Sequence, residues 1–437
     1  MNVELYSYDN LLQAFQALAD RPYTLFFDSN RPSHPCSEWS FICWDPIETI
    51  QTKNGVIFLD NKKVGETDFF KFLQSRLDLH SIDETIRNIL FQGGLAGYFG
   101  YDLGRQLEDI PNKTEDDLNL PDAALGIYTN VLAFDHTNKK AWKIGDTPIP
   151  TPSKNDNAAN TELVWDKKTN DPDYLNNIKR VIDYIHKGEV YQVNLSRRFD
   201  TNLPNNFSPT AHYIKLRETN SAPFSAYMNF GDFQLSSSSP ERFIQCKDNQ
   251  VETRPIKGTL SDDQNPLKLL NSQKDRAENL MIVDLLRNDI SKACIEHSVQ
   301  VPELFKIETF EGLHHMVSTV TGRLKDNETA LSLLKQCFPG GSITGAPKIR
   351  AMEIIEELEP TRRSSYCGAM GYIGFDGNMD TNIIIRTLIY KDGKAYLQTG
   401  SGIVSDSKLE TELQEGLDKA QKIFESFKDI QQKEDAA

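Results

Sequence analysis

The segment Phe91–Arg105 contains five glycines among aromatic side chains, and it restricts the possible folds of this chain more than any other stretch. Glycine is a poor helix former, whereas inside strands it marks bends and places where two backbones approach closely. The glycines are Gly93, Gly94, Gly97, Gly100 and Gly104. The segment therefore predicts tightly bent strands and not a helix.

The residue pattern predicts further strands before Gly145, at Tyr23–Asp28, Gly55–Leu59 and Gly126–Phe134. From Tyr174 onward, hydrophobic periodicity predicts four helices and four strands. The predicted helices are Tyr174–Lys187, Ser272–Ile290, Ala346–Leu358 and Ser407–Phe427. The predicted strands are Phe224–Asn229, Gly371–Phe375, Thr381–Tyr390 and Lys394–Thr399. Because strands and helices mix without regular alternation, the pattern indicates an α+β or complex α/β fold and argues against a Rossmann or TIM-barrel fold.

The length of 437 residues allows one large α/β unit or two domains. Residues 146–172 are rich in Pro, Asn, Thr and Lys and predict a linker or surface loop. We therefore divide the chain into an N-terminal region (1–145), this linker (146–172) and a C-terminal region (173–430). The polar tail Gln431–Ala437 is expected to fray.

Charge and cysteine usage exclude several classes of function. The formal net charge of -15 makes nucleic acid and anionic membranes poor partners, so an anionic substrate would need local cations or a metal. The six cysteines show no C-x-x-C spacing, which argues against a zinc site or a redox dithiol. Scattered thiols, and an N-terminus without a signal-peptide pattern, predict a cytoplasmic protein. The chain also lacks a cysteine in a nucleophile-elbow context, so no glutaminase site is expected in it.

Two pairs of acidic residues are spaced for one face of a helix. Asp275 and Glu278 fall on the side of the apolar stripe of their helix, although Asp275 also fits a capping box with Ser272. Glu412 and Glu415 lie beside the apolar stripe of the last helix, where a solvated face is the alternative. If the two pairs face each other, they would offer the oxygen ligands that Mg²⁺ prefers.

Two glycine-containing segments are candidate anion sites. Gly340–Pro347 ends in a proline at the expected first turn of a helix, where backbone N–H groups can hold an anion. It is not a Walker A loop, because Ala346 stands where that motif needs lysine. Gly400–Gly402 is a second candidate, as a backbone nest. Ordinary turns remain the alternative for both segments.

His315 and Lys257 are candidate catalytic groups. His315 belongs to a strand-like run, where most histidines are structural. Lys257 lies between apolar and glycine neighbours, so burial could favour its neutral, nucleophilic form; a surface lysine is the alternative.

Long motifs in a fixed order resemble the chorismate-utilising enzymes of the anthranilate synthase component I family. The resemblance covers nearly the whole chain and is strongest from Tyr191 to Ala420. The motifs are SPERF (239–243), RPIKGT (254–259), AENLMIVDLLRNDI (277–290), HHMVST (314–319), PGGSITGAPKIRAMEIIEELEP (339–360), GNMDTNIIIRT (377–387) and GIVSDS (402–407). The family fold implied is two packed antiparallel β-sheets flanked by helices.

The resemblance implies chorismate as substrate and Mg²⁺ as cofactor. It assigns Glu278 and Glu415 as metal ligands with Asp275 and Glu412 as their pair partners, and it places His315 near the ring C4 hydroxyl. Substrate-binding positions carried over are Gln192, Ser342, Thr344, Tyr366, Arg386, Gly400, Ser401, Gly402 and Lys419. The strand near Ser29, with Pro223 and Phe224, resembles the tryptophan pocket of the family, which implies tryptophan as a structural or regulatory ligand.

Two positions indicate the branch of the family. Anthranilate and isochorismate synthases carry alanine where this chain has Lys257, and isochorismate synthases carry a lysine where it has Gln192. The combination resembles the branch that forms 4-amino-4-deoxychorismate on the way to 4-aminobenzoate and folate. There Glu241 matches the acid/base residue that serves the lysine, and a separate glutamine amidotransferase supplies ammonia. The alternatives are an anthranilate-forming lyase and a non-catalytic chorismate-binding subunit.

Overall fold

The structure is a computed structural model that describes residues 2–31, 34–80, 89–151, 163–310 and 313–428, without the side chains of Glu66, Thr259 and Phe310. In this part of the chain the strands are β1 Val3–Tyr6, β2 Thr24–Asp28, β3 Trp39–Cys43, β4 Glu48–Lys53, β5 Val56–Leu59, β6 Lys62–Glu66, β7 Gly94–Phe99, β8 Ala123–Tyr128, β9 Val131–Asp135, β10 Lys140–Ile144, β11 Asp166–Lys167, β12 Gln192–Asn202, β13 Phe224–Asn229, β14 Phe233–Ser239, β15 Arg242–Lys247, β16 Gln250–Thr253, β17 Ile256–Ser261, β18 Gln300–Phe310, β19 Leu313–Arg323, β20 Gly345–Ala346, β21 Ala369–Gly374, β22 Met379–Ile383, β23 Thr387–Lys391 and β24 Lys394–Ile403.

The α-helices are α1 Leu11–Leu18, α2 Phe69–Leu79, α3 Asp171–His186, α4 Pro209–Thr219, α5 Leu267–Leu270, α6 Gln273–Ser291, α7 Ala330–Cys337, α8 Lys348–Leu358 and α9 Leu409–Glu425. Short 3₁₀ helices span Tyr8–Asn10, Tyr101–Gln106 and Gly341–Ile343. Four helices, α3, α6, α8 and α9, confirm the four predicted from periodicity, with ends that differ by at most three residues. Among the described residues, no helix combines the length and the apolar character that crossing a bilayer requires.

The strands form two antiparallel sheets. The first has the order β1-β10-β9-β3-β2-β13-β14-β23-β24-β12-β11, with β20 also paired to β12. The second has the order β17-β19-β16-β15-β22-β21-β7-β8-β4-β5-β6, with β18 also paired to β19. Each sheet therefore joins strands from before residue 146 with strands from after residue 172. The division at 1–145 and 173–430 stays a prediction about domains, although strand pairing crosses it in both sheets.

The two sheets pack face to face. Their shared core holds Phe41 and Met228 of the first sheet and Tyr98 and Tyr372 of the second, and the rings of Phe41 and Tyr372 are 5.2 Å apart. Helices α2, α6 and α7 cover the outer face of the second sheet, and α1 and α4 cover part of the outer face of the first. The predicted architecture of two packed antiparallel sheets flanked by helices is confirmed.

The glycine-rich segment bends as its composition predicts. Gly94 and Gly97 in β7 have φ of +141° and +149°, and a Cβ on Gly97 would lie 2.2 Å from the carbonyl oxygen of Ala124. Only glycine permits such a close approach of neighbouring strands at this φ. The prediction is wrong for the end of the segment, because Tyr101–Gln106 forms a 3₁₀ helix after the strand ends.

Three other predicted elements differ from the structure. Gly126–Phe134 is divided between β8 and β9, which belong to different sheets, so the chain crosses between sheets there. Thr381–Tyr390 is interrupted at Arg386, whose φ of 51° separates β22 from β23. Residues 152–162 of the predicted linker 146–172 lie outside the described residues; in its last part β11 pairs with β12, and Asn170 caps α3.

Candidate active site

A cavity of about 640 Å³ lies where strands of both sheets meet α6 and α9. Most of the site residues predicted from the sequence line it. They are Glu241, Lys257, Asp275, Glu278, His315, Ser342, Tyr366, Arg386, Gly400, Ser401, Gly402, Glu412, Glu415 and Lys419, and Phe224 lies at its border. These residues come from ten separate segments of the chain, Phe224 included, and the fold brings them to one place.

Thr344 and Gln192 are not among the residues that line this cavity. Thr344 is fully buried, and its hydroxyl donates to the carbonyl oxygen of Gly340 at 2.9 Å, which stabilises the turn that carries Ser342. Gln192 is also buried, with its side chain against Gly402. Its amide nitrogen has no hydrogen-bond partner within the described chain. Both residues therefore lie beneath the cavity surface, where they contact segments that form the cavity wall.

The two acidic pairs face the cavity from different helices. In α6 the hydroxyl of Ser272 accepts from the backbone N–H of Asp275 at 3.3 Å, so the predicted cap exists while the Asp275 side chain lines the cavity. In α9, Glu412 is 3% exposed and accepts from the hydroxyl of Ser407 at 2.7 Å. The position of Glu412 argues against the alternative in which this face of α9 is merely solvated.

Neighbouring charges act in opposite directions on the carboxylates of the acidic pairs. Burial raises the pKa of Glu278, the nearby charge of Lys257 lowers it, and the carboxylates of Asp275 and Glu412 raise it further. Glu415 pairs with Lys419 at 2.7 Å, as its i,i+4 spacing predicts, and Lys419 also donates to the carbonyl of Gly400 at 2.9 Å. A bound cation at the acidic face would relieve the repulsion that Glu278 experiences.

The acidic face suits Mg²⁺ by its chemistry. Within the described chain, no three His, Cys, Asp or Glu side chains converge as a ready-made ligand set. Mg²⁺ does not require one, because it keeps several waters and is commonly held by one or two carboxylates plus oxygens of the substrate. Carboxylates on two facing helices, with a buried Glu412 behind them, meet that requirement.

Lys257 stands between the acidic face and Glu241. Burial raises the pKa of both Glu241 and Glu278, and the charge of Lys257 is the largest of the effects that lower them. Within the described chain its amine takes part in no ion pair or hydrogen bond. Glu241 follows β14 and accepts from the hydroxyl of Ser342 at 3.3 Å. A half-buried lysine whose amine is left unpaired beside a carboxylate is arranged for reaction with a bound molecule.

His315 lines the cavity, whereas the adjacent His314 points to the opposite side of β19. His314 bonds through its ring nitrogens to the hydroxyl of Thr309 at 2.7 Å and the carbonyl of Gln264 at 3.2 Å. Burial, followed by the charges of Arg31 and Arg386, lowers the pKa of His315 to about 4. Near neutral pH its ring is therefore uncharged and can donate or accept one hydrogen bond.

Arg386 provides a half-buried cation in the cavity wall. Its left-handed backbone, with φ of 51°, turns the chain between β22 and β23. Burial and the charge of Arg31 lower the pKa of Arg386, and Glu241 opposes that shift. Within the described chain its guanidinium forms no ion pair. A desolvated cation without a protein counterion favours an anionic ligand, since leaving it unpaired is costly.

The glycine segments differ from their predicted conformations. Gly400–Gly402 is not a nest, because it continues β24 and pairs with β12, with Gly402 opposite Asn194 and Gly400 opposite Ser196. A Cβ on Gly400 would lie 2.4 Å from the carbonyl oxygen of Leu195, so close strand packing explains this glycine. In Gly340–Pro347 the helix begins only at Lys348, because Gly345–Ala346 pairs with β12. Ser342 reaches the cavity from the preceding 3₁₀ turn.

Sequence reasoning missed several cations and amides of the cavity wall. They are Arg31, Asn194, Arg242, Arg254, Lys274, Gln398 and Lys422. Arg242 pairs with Asp380 at 3.0 Å, and Arg254 pairs with Glu308. Arg242 and Arg254 lie inside the SPERF and RPIKGT motifs, which could have indicated them, whereas the others stand in segments without a local pattern, so only the fold shows that they surround one cavity.

A second cavity, of about 250 Å³, adjoins the first. Ser29, Pro223 and Phe224 line it as predicted, together with the aromatic side chains Phe27, Trp39, Phe41 and Tyr372. The hydroxyl of Ser29 donates to the carbonyl of Pro223 at 3.1 Å. The two cavities share a wall made of Cys36, Phe224, Arg242 and Arg254.

Comparisons with known proteins agree with this arrangement. Residues 22–425 match the family described as chorismate binding enzyme. Aminodeoxychorismate synthase component 1 of Escherichia coli K12 is 41% identical over 94% of this chain and 95% of its own length. The corresponding protein of Bacillus subtilis is 34% identical over 94% and 93%. The crystal structure of anthranilate synthase component I from Streptococcus pneumoniae superposes with a TM-score of 0.81 at 32% identity, covering 90% of this chain and 93% of that one. This chain therefore belongs to the family of chorismate-binding enzymes.

Proposed function

We propose that this chain converts chorismate and ammonia into 4-amino-4-deoxychorismate and water. Relatives that are named aminodeoxychorismate synthase component 1 match nearly its whole length. The observation that carries the proposal is Lys257, which lines the cavity with an unpaired amine beside Glu241. This is the position at which the anthranilate-forming branch has alanine.

The charges of the wall suit a dicarboxylate such as chorismate. Arg386 supplies a cation without a protein counterion, and Ser342, Tyr366 and Ser401 add hydroxyl groups from three other segments. The hydroxyl of Ser401 has no partner within the described chain, so it is available to a substrate oxygen. We assign these residues to binding of the substrate carboxylates, with Lys419 and the backbone of Gly400–Gly402 beside them.

The chemistry divides one difficult displacement into two. The unprotonated Lys257 amine forms a bond to ring C2, the double bonds shift, and the C4–O bond breaks. Ammonia then forms a bond to C4 and loses a proton, the double bonds shift back, and the C2–N bond breaks as the lysine nitrogen regains a proton and leaves as the free amine. In the first displacement a proton passes to the departing hydroxyl so that it leaves as water, and Glu241, once it has given up its own proton, takes the one that Lys257 loses.

His315 and Glu241 are the candidates for protonating the leaving hydroxyl. The free-enzyme pKa of His315, lowered to about 4 by burial and by Arg31 and Arg386, leaves its ring neutral and able to donate a hydrogen bond. Burial raises the pKa of Glu241, which favours a protonated carboxyl that can serve as an acid. We assign orientation of the hydroxyl to His315 and proton transfer to Glu241, with His315 able to share that transfer.

Glu278 and Glu415, supported by Asp275 and Glu412, would hold Mg²⁺ at the acidic face. The ion supplies positive charge for a substrate carboxylate that four protein carboxylates would otherwise repel. This chain's own part is to fix those carboxylates on α6 and α9, where Lys257 and Lys419 balance part of their charge.

The function is tested by the product and by the nitrogen source. The protein is incubated with chorismate and Mg²⁺, and with either ammonium or glutamine, and products are identified by mass spectrometry. We expect aminodeoxychorismate from ammonium alone. We expect none from glutamine until a separate glutamine amidotransferase is added, in keeping with relatives named component 1. Anthranilate as the main product, no product from ammonium, or use of glutamine by the pure chain would contradict the proposal.

We also propose that the second cavity binds tryptophan, as a structural or regulatory ligand. Its aromatic wall and the polar groups around Ser29 suit an aromatic amino acid. Calorimetric titration should detect binding of tryptophan. Ser29→Leu, which places a larger side chain in this cavity, should abolish the binding heat, whereas Ser75→Leu at an exposed position of α2 should leave it unchanged. Absence of binding by the unaltered protein, or binding that survives Ser29→Leu, would remove tryptophan from this cavity.

A further inference from the structure

We propose that Arg363 is the positioning residue that joins three substrate-binding segments of the cavity wall into one rigid surface. It follows α8, does not line the cavity and is 2% exposed. The segments are the 3₁₀ turn that carries Ser342, the paired strands β12 and β24 that carry Gly400–Gly402, and the bend that carries Tyr366. The inference rests on the proposed function, since it assigns these segments to substrate binding.

The guanidinium bridges the first two segments directly. Its Nη1 donates to the carbonyl of Ile343 at 3.0 Å, and its Nη2 donates to the carbonyl of Asn194 at 2.6 Å. The side-chain amide of Asn194 also donates to Ile343, at 3.0 Å. Ile343 is adjacent to Ser342, and Asn194 lies opposite Gly402 in the sheet. Arg363 thus holds the turn that carries Ser342 at a fixed distance from β12, and thereby from Gly402 in the paired strand β24.

Glu359 extends the same network along β12. Arg363 donates to both of its carboxylate oxygens, from Nε at 2.9 Å and from Nη2 at 2.6 Å. One of those oxygens also accepts from the backbone N–H and the hydroxyl of Ser196, each at 2.8 Å. Gln398, which lines the cavity from β24, donates to that hydroxyl at 2.9 Å. The network therefore reaches a second point of the cavity wall.

The third segment is held through aromatic rings. The Arg363 guanidinium lies 4.8 Å from the ring centre of Tyr101 and 5.7 Å from that of Tyr366. Such cation–π contacts are strengthened when the cation is desolvated, as it is here. Tyr366 is 5% exposed at the cavity wall, so its orientation depends on what packs behind it.

Arginine and lysine differ sharply in this environment. The planar guanidinium has five N–H donors in a fixed geometry, and here it serves two backbone carbonyls and two carboxylate oxygens at once. Lysine has three donors around one nitrogen and cannot reach all four acceptors. Arg363→Lys therefore keeps the positive charge next to Glu359 but loses some of the hydrogen bonds that hold the wall segments together.

The matched control is Arg198→Lys. Arg198 also lies in a buried position, at 3% exposure, and it also donates to several carboxylate oxygens, those of Asp117 and Asp200. It belongs to β12 and its guanidinium lies 5.2 Å from the ring of Tyr396 in β24, but it does not line the cavity and its side chain bonds to neither the Ser342 turn, Gly400–Gly402 nor the Tyr366 bend. The two variants therefore lose comparable buried hydrogen bonds at places that differ in their relation to the cavity.

Steady-state kinetics with ammonium should separate the two variants. We expect Arg363→Lys to raise KM for chorismate by on the order of 10- to 100-fold, because small misplacements of binding groups weaken substrate binding strongly. Its kcat should change much less, since Lys257 and His315 lie on β17 and β19 and Glu241 beside β15. Arg198→Lys should keep KM, although both variants melt at lower temperature. Equal KM effects in both variants, or an unchanged KM in Arg363→Lys, would overturn the inference.

Hydrogen exchange measured without substrate tests the positioning role of Arg363 independently of the reaction. The backbone N–H of Asn194 donates to the carbonyl of Thr344, and the backbone N–H of Thr344 donates to the carbonyl of Gly341. Arg363→Lys should speed hydrogen exchange at both of these amides, and Arg198→Lys should not. If the unaltered protein makes no aminodeoxychorismate, the proposed function fails while this comparison still decides the role of Arg363. If Arg363→Lys does not fold, Glu359→Gln is used with the same two readouts. Unchanged exchange in the variant that folds would refute the proposal.

Discussion

Replacing Lys257 by alanine is expected to lower the formation of aminodeoxychorismate by on the order of 10³-fold or more, since the variant loses the group that attacks in the first displacement and leaves in the second. Alanine also matches the residue of the anthranilate-forming branch, so a small amount of anthranilate-type product is an expected by-product. The loss should appear in kcat at saturating chorismate. The fold should be kept, because the Lys257 amine takes part in no ion pair within the described chain.

Two variants separate a nucleophile from a mere positive charge. Lys257→Arg keeps a cation near Glu241 and Glu278 but cannot act as a nucleophile, so it should be as inactive as Lys257→Ala. Lys62→Ala, at an exposed lysine of β6 outside both cavities, should behave like the unaltered protein. Substantial activity in Lys257→Arg would show that the charge of Lys257 suffices and would remove it as a nucleophile.

The covalent intermediate gives a direct measurement. When chorismate is added without ammonia, the second displacement cannot occur, and a substrate-derived mass should remain on the protein. Digestion should locate it on the peptide that contains Lys257, and it should be absent from both Lys257 variants. Subsequent addition of ammonium should release it as aminodeoxychorismate. A mass located on another residue would assign the nucleophile elsewhere.

Local patterns in the sequence predicted the elements that carry their own periodicity. The acidic pairs were placed correctly on two helices because i,i+3 spacing defines a helical face wherever the helix lies. That α6 and α9 face one cavity could not be derived from the spacing and was implied only by the family resemblance. Lys257 and His315 line the same cavity because β17 pairs with β19 and the register shifts after Lys257, which lies opposite Met316, the residue next to His315.

Residues with no local pattern were missed. Arg363 and Glu359 form a buried pair four residues apart after α8, but the sequence does not show that their acceptors lie in β12 and in the Ser342 turn. Gly400–Gly402 was predicted as an anion nest, because glycine spacing alone does not distinguish a free loop from a strand whose neighbour lies too close for side chains. Tertiary contacts decide such cases.

Glu278→Gln and Glu415→Gln are expected to lower turnover by on the order of 100-fold or more, because each removes a carboxylate charge assigned to Mg²⁺. Glutamine keeps the shape and one oxygen, so the helices should fold normally. A chelator should abolish the activity of the unaltered protein, and added Mg²⁺ should restore it. The two variants should need much higher Mg²⁺ concentrations, because their acidic face attracts a divalent cation less strongly.

Controls on the same helices show whether the position of the carboxylate matters. Asp284 of α6 and Glu410 of α9 are exposed and outside the cavity, so Asp284→Asn and Glu410→Gln change the protein's net charge equally but should leave the Mg²⁺ requirement unchanged. Binding can be measured without turnover in the Lys257→Ala background, where chorismate should bind more tightly when Mg²⁺ is present. Adding Glu278→Gln should abolish that gain, since a cation that bridges protein and substrate couples the two binding equilibria. If Mg²⁺ strengthens chorismate binding equally with and without Glu278, the cation is held elsewhere in the protein.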